Sequence, residues 1–564
     1  MRRFTVTHAK TRMSARTSVY GCLICGLVAL ALTAFPQAAV AQKTAITTYH
    51  YNNGRTGWNS AETTLTPANV ASASFGMLES IALDGEVSAQ PLVVPNQQIN
   101  AGSYQGTHNV VYVATQNNTI YAIDYDTGTV LLSPNFGTPV PNPITCPTDP
   151  VVGINSTPVL NLPTNTMYVM IYTNESNGPV YRLHALGLGS LTDQMAPVVV
   201  SASHTLTDGT TYAFNATYEH QRPALLLASG NVYAGFGSFC DKGTSDSRGW
   251  LLGWEASTLT PLAMNQVLDT QATSPHNYFL SSIWMSGAGV AADPSGNVYF
   301  ITGNSDPSGT TYDGVTNIQE SLIKTTPDLS QVLDLFTPMD VATMDQNDRD
   351  FSSGGVMLLP PRPTQGVLNP IPNLVVAADK DGDMFLMNQE NLGGYDPNAN
   401  NVLGQYPIGT CFCVPSYFVD PIDGTPRVVV GGGAALEVWK LQTHPTVALT
   451  NVANSGPLFT RNHGFFTTVS SNGFSNPIIW ALGRQTFKTP AMTFYAFNPE
   501  VGGGTLKPIF TSQSAGTWAY NGNANQVPVV ANGKVFIASG QQLTIFGIGA
   551  KLKTTNPNSV AHAK

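Results

Sequence analysis

Tyr218-Glu219-His220-Gln221-Arg222 is the densest run of chemically capable side chains in this 564-residue sequence. In an extended chain alternate residues share a face, so Tyr218, His220 and Arg222 point the same way. On such a face an arginine clamps a carboxylate or an oxyanion while the imidazole or the phenol moves a proton, which is the chemistry of a uronate lyase or a hydrolase. The same residues have a quieter reading, in which Glu219 or Asp241 fixes Arg222 and His220 fills a polar channel. Further polar side chains, Gln90, Asn155, Trp284, Asp350, His463 and Gln526, stand at or just before the start of apolar segments. If those segments converge, the six residues line a ligand funnel. Asp379-Lys380-Asp381-Gly382-Asp383 begins like a calcium loop, with Glu390 at its twelfth place. Met384 stands where the loop's sharp turn calls for glycine, however, so an Asp/Gly turn is the better reading.

The elements that must position these groups are short strands. Asn109–Leu132 (NVVYVATQNNTIYAIDYDTGTVLL) alternates, turns at Gln116–Asn118, alternates again, and turns at Asp126-Thr127-Gly128. Altered copies follow down the chain. Their first strands open at points 54 to 67 residues apart, marked by Pro91, Pro158, Pro223, Ala288, Gly355, Pro415, Val469 and Pro528. Each start leads to a second strand, such as Asn231–Gly235 or Lys534–Ser539, and a third, such as Trp250–Trp254 or Gln542–Phe546. A sheet this small cannot bury both faces alone, so the copies must stack. No segment sustains a helical period.

The expectation is an all-β, eight-bladed β-propeller of four-stranded antiparallel blades over residues 75–550. The last copy, Gln526–Ile548, has room for three strands. Phe75–Leu83 alternates upstream of the first copy, and is expected to complete the final blade and close the ring.

Composition agrees and narrows the function. Charged residues are 10% of the chain, against 52 glycines and 39 prolines, which suits many turns. The net charge of −9, with no basic run beyond the N-terminus, argues against nucleic-acid binding. Residues 1–41 read as a secretory signal peptide: a basic start, the apolar Leu23–Ala34, then Ala39-Val40-Ala41. Residues 42–74 form an N-terminal lead segment, and 551–564 a polar, disordered tail. The expected product is a secreted or periplasmic monomer without a membrane span after signal removal. Cys146, Cys240, Cys411 and Cys413 then remain, an even number for an oxidising compartment. Three pairings are possible, of which Cys146 with Cys240 and Cys411 with Cys413 is favoured. Most tryptophans sit in strands, where packing explains them, while Trp58, Trp284 and Trp518 stand at strand starts, where stacking on carbohydrate is conceivable.

The unit VVYVATQNNTIYAIDYDTGTVL, with its Y-A-x-D-x-x-T-G core, resembles the quinoprotein (PQQ-like) repeat, and residues 47–548 resemble secreted bacterial PQQ-like propeller proteins. The segments Tyr49–Val70, HQRPALLL and Gly289–Asn304 share in the likeness. The resemblance implies the fold, whereas activity varies among proteins built on this repeat. PQQ dehydrogenases hold calcium with Glu, Asn and Asp, place a Trp beneath the quinone and an Arg near its carbonyls, and in the alcohol enzymes carry two adjacent cysteines. Glu219, Asn155, Asp350, Trp284 and Arg222 are available as types. Phe412 separates Cys411 from Cys413, and no CxxCH haem site exists. Three functions are therefore expected in this order: a module binding a small molecule, polysaccharide or protein through the funnel; a PQQ- and calcium-dependent oxidoreductase of alcohols or sugars; a polysaccharide lyase or hydrolase using Tyr218, His220 and Arg222.

Overall fold

A computed structural model describes residues 43–146, 150–241, 246–273, 278–361, 373–459, 463–486, 489–500, 504–518 and 525–549. The expected signal peptide, residues 1–41, and the expected tail, residues 551–564, lie outside the described residues. Eight sheets, each mainly four antiparallel strands, are arranged in chain order as the blades of a propeller. Blade one is Leu92–Ile99, Gly106–Ala114, Ile120–Asp124 and Val130–Leu132. The second strands fall where the sequence pattern puts them: Leu374–Ala378 in blade five and Lys534–Ala538 in blade eight are apolar runs buried on both faces. Tryptophans and tyrosines fill the gaps between blades, with Trp250, Trp254 and Trp480 all but fully enclosed. Enclosing one large apolar side chain is worth roughly 1.5–3 kcal/mol, so these aromatics hold neighbouring blades together.

Phe75–Ala82 runs antiparallel to Gln542–Ile548 as the outermost strand of blade eight, so a strand that precedes blade one in the sequence completes the last blade. Two additions enlarge other blades. Trp58–Asn59 lies parallel to the first strand of blade seven, and Glu219–His220 extends blade three against Gly237–Ser238. Helix is confined, among the described residues, to short pieces such as Pro67–Val70 and Val341–Gln346.

The N-terminal segment has a role that the sequence reading did not assign. It threads the axis of the ring and bonds to the innermost segment of each blade in turn: Ile46 with Val93, Thr47 with Leu160, Asn53 with Leu227 and Ala292, Gly54 with Leu358, Thr56 with Tyr417, Gly57 with Val469, and Asn59 with Val530. Arg55, with no exposed surface, donates to the carbonyls of Leu225, Tyr49 and Val290 and to the Thr48 hydroxyl. Curling through so narrow a space requires left-handed backbone at His50, Tyr51, Arg55 and Gly57. Residues 46–59 thereby run along the inner side of the first strands.

Both favoured disulfides form. Cys146 joins Cys240 across a separation of 94 residues, and Cys411 joins Cys413.

Candidate functional site

First strands run away from one rim and second strands return to it, so residues leading into a first strand meet residues leaving a second. At blades three to five this rim collects acids. Asp241 follows Asn231–Ser238, and Asp348 and Asp350 precede Val356–Leu358. One carboxylate oxygen from each lies within 4.8 Å of the other two. Lys380, just past Leu374–Ala378, donates to Asp348 at 2.6 Å and to Asp350 at 2.9 Å.

Trp284 leads into blade four beside this cluster, its backbone N–H reaching the Ser352 hydroxyl at 3.4 Å. Asn304, leaving the second strand of the same blade, directs its backbone N–H to Asp350 at 3.4 Å. Glu320 accepts the Phe351 backbone N–H at 2.5 Å with one oxygen. The Trp284 indole nitrogen, the Asn304 side-chain oxygen and the second Glu320 oxygen are all buried without a hydrogen-bond partner. Buried polar atoms are nearly always paired, so three orphans around one carboxylate cluster mark a place that an ion or a ligand completes. Asp241, Met285, Ser286, Glu320 and Asp348 are also held at positive φ. For residues with a Cβ this costs about 1 kcal/mol or more each, and such strain gathers at functional sites.

The electrostatics follow from crowding acids out of water. Burial, then the Asp350 charge, pushes Asp241 up to about 7. Burial likewise raises Asp345 to about 7 and Asp379 to about 8, and it lifts Glu320 well above the usual carboxylate range. Burial acts against the charge on Lys380, but the neighbouring Asp350 and Asp348 outweigh it and hold the ammonium protonated. A divalent cation here would replace protons on these acids. The donor set, carboxylate oxygens with an amide oxygen close by, suits a hard cation.

Several residues picked from the sequence fall on one arc of this rim. Asn155 Nδ2 is 2.8 Å from His220 Nε2, and the His220 ring stacks on Phe239 and meets Trp284 edge-on at 5.7 Å. Beyond Asp350, the Lys380 ammonium lies 5.6 Å from the centre of the Phe412 ring, which meets His463 edge-on at 5.8 Å. His220 is fully buried, while Tyr218 and Arg222 are partly exposed. Glu219 turns into blade three, accepting from Tyr212, Ser247, the Arg248 backbone and Trp250. Gln90 and Gln526 serve the scaffold: the Gln90 amide holds the backbone of His50 and Thr48, and the Gln526 amide donates to the Val87 carbonyl.

Reading the sequence for first-strand starts found Trp284 and Asp350 but overlooked Asp348, Asn304 and Glu320. It weighed Asp241 merely as a partner for Arg222. Lys380 was visible as part of a turn, and Asp379 does make that turn by accepting the N–H groups of Gly382 and Asp383. For Asp241, Asn304 and Lys380 the neglected signal was the end of a second strand, which antiparallel pairing returns to the same rim.

No family model matches the sequence, and no curated protein matches it. Solved structures do resemble it. The quinohaemoprotein alcohol dehydrogenase of Comamonas testosteroni superposes with a TM-score of 0.58 at 13% identity, covering 93% of this chain and 84% of that one. The quinohaemoprotein alcohol dehydrogenase ADHIIG of Pseudomonas putida HK5 gives 0.58 at 13%, covering 92% and 82%. A europium-containing methanol dehydrogenase gives 0.55 at 11%, covering 89% and 98%. With its eight blades and these neighbours, the chain has the fold of the PQQ-type β-propeller.

Proposed function

We propose that the protein is a quinoprotein-type oxidoreductase of alcohols or sugars, working with a divalent cation and PQQ at the rim of blades three to five. The observation that carries this reading is the meeting of Asp241, Asp348 and Asp350 beside the Lys380 ammonium and the unpartnered Trp284 indole N–H. The quinone, when bound, would supply the two-electron oxidation by taking the hydrogen of the substrate carbon as hydride. Asp241, Asp348 and Asp350 would hold the cation, with the unpartnered oxygens of Asn304 and Glu320 as further donors. Lys380 offsets the excess of carboxylate and offers a donor to an anionic or carbonyl oxygen. Trp284 supplies a flat apolar face, and Asn155 with His220 fixes its tilt. A carboxylate of the cluster accepts the proton that leaves the substrate hydroxyl. The two disulfides suit an oxidising, extracytoplasmic setting such as the periplasm.

The test is thermal denaturation with calcium and PQQ, alone and together, followed by dye-linked oxidation of a panel of alcohols and sugars. A ligand that binds the folded state at a hundred times its Kd adds about 2.7 kcal/mol, a readily measured rise in Tm. Asp350→Asn should remove the rise. No shift at saturating cofactor would sink the reading. A second reading, ligand binding without turnover, is favoured by Phe412 standing between Cys411 and Cys413, since the adjacent cysteine pair of the alcohol enzymes is then missing. A thermal shift without dye reduction would support it. The lyase reading of Tyr218, His220 and Arg222 ranks behind both, because His220 is enclosed by Asn155, Phe239 and Trp284.

A further inference from the structure

Carboxylates that meet away from water repel one another, and at the acidic rim the fold answers with an ammonium. Lys380 donates to Asp348 at 2.6 Å and to Asp350 at 2.9 Å, and its charge reaches Asp241 at longer range. Its place is built from several sides. The Lys380 backbone N–H donates to the Asp350 carbonyl at 3.2 Å. Asp379, just before it, closes the turn through the N–H groups of Gly382 and Asp383, and the Asp379 carbonyl accepts the Cys411 N–H at 3.0 Å. The Phe412 ring, carried by the Cys411–Cys413 loop, flanks the ammonium at 5.6 Å. Arg349, between the two acids in sequence, turns away to Asp381 at 2.5 Å with its side chain 48% exposed.

Lys380 is thus a tethered cation that shares carboxylates with any ion bound beside it. Asp241, Asp348 and Asp350 bring three negative charges and Lys380 takes back one. Any charge on Glu320 is the same with the lysine as without it. Attraction to a bound ion scales with the ion's own charge, so a unit of site charge counts for more with a trivalent ion than with a divalent one. Calcium and the lanthanide ions are similar in size, and both seek carboxylate oxygens. Geometry therefore separates them weakly, and net charge separates them strongly.

We infer that Lys380 sets the charge preference of the acidic site, holding it toward divalent cations and against trivalent ions of similar size. The inference rests on the reading of Asp241, Asp348 and Asp350 as cation ligands. With the lysine in place a divalent ion balances the three aspartates, whereas a trivalent ion leaves surplus positive charge among buried groups, where unbalanced charge is costly. Without the lysine the balance passes to the trivalent ion.

The experiment is isothermal titration of the chelator-treated full chain with calcium and, separately, with terbium, read as the ratio of the two dissociation constants. Comparing that ratio between variants cancels the hydration cost of each ion. Lys380→Gln keeps a hydrogen-bond donor but removes the charge. It should shift the ratio toward terbium by about ten- to a hundredfold, the effect of one nearby unit charge at an effective dielectric of about 20. Lys380→Arg should leave the ratio unchanged. Asp348→Asn removes the opposite charge of the same ion pair and should shift the ratio toward calcium, which tests the sign even if Lys380→Gln fails to fold. The double variant should return to the wild-type ratio. If neither ion binds the wild type, or if binding survives Asp350→Asn, the cation reading falls and this inference with it. If both ions bind and Asp350→Asn loses them, the inference alone is overturned by a Lys380→Gln ratio equal to wild type, by a Lys380→Arg shift as large as that of Lys380→Gln, or by an Asp348→Asn shift toward terbium.

Discussion

Arg55 has no exposed surface and draws its charge stabilisation from carbonyl oxygens and the Thr48 hydroxyl. Burial lowers its pKa to about 9, yet at neutral pH it stays ionised and clips the lead segment to blades three and four. Arg55→Met should therefore cost about 3 kcal/mol or more, because it strands several buried carbonyls. A urea midpoint within error of wild type would contradict that. Glu219 gives a pH signature. Burial raises it from 4.5 to about 7, so the folded state holds its proton more tightly than the unfolded chain does. Its stabilisation is complete below 4.5 and is lost as pH rises to about 7, a change of roughly 3 kcal/mol. His50 acts in the opposite sense. Burial lowers it from 6.5 to about 3, so its contribution is present above 6.5 and is lost as pH falls toward 3. Stability should fall on both sides of a mildly acidic maximum. Glu219→Gln should flatten the alkaline side between pH 5 and 8, as read by calorimetry. The site itself was half legible at this scale: Trp284 and Asp350 stood out by position, but Asp241 and Lys380 look like ordinary turn residues until a neighbouring blade is placed beside them.

At the scale of elements, the strand Phe75–Ala82 carries the closure. Phe75 packs against Phe510 at 4.8 Å, Trp480 at 5.9 Å and Phe546 at 6.5 Å, and so joins blades seven and eight as well as the chain's two ends. Phe75→Ala should cost about 3–5 kcal/mol, seen as a lower thermal midpoint. A shift no larger than that of Met77→Ala, whose side chain is 43% exposed, would argue against the latch. Second and third strands were easy to read because each is an apolar run bounded by turn residues. Several first strands came out shorter than expected, as where Ser286–Ala292 reduces to Ala291–Ala292, while those of blades one and seven run longer, to Leu92–Ile99 and Phe466–Asn472. Near the axis the lead segment takes over the backbone groups that a longer ladder would have used, as where Ala292 donates to Asn53.

For the whole molecule, the lead segment couples all eight blades, so its loss should be felt everywhere. Deleting residues 43–60 should lower the onset of unfolding and broaden the calorimetric transition, since blades that meet just their neighbours can open in turn. An unchanged endotherm would mean that ring closure by Phe75–Ala82 suffices. Taken alone, the sequence determined the repeat, the number of blades and the closing strand, because apolar runs, turn chemistry and an unfilled last sheet are written locally along the chain, while it left three cysteine pairings open. Tertiary structure decided what runs along the inner side of the first strands and which acids meet. Asp241 and Asp350 are distant in sequence, and they become neighbours because a closed ring brings the same edge of successive blades to one rim, where repulsion between buried carboxylates first has a meaning.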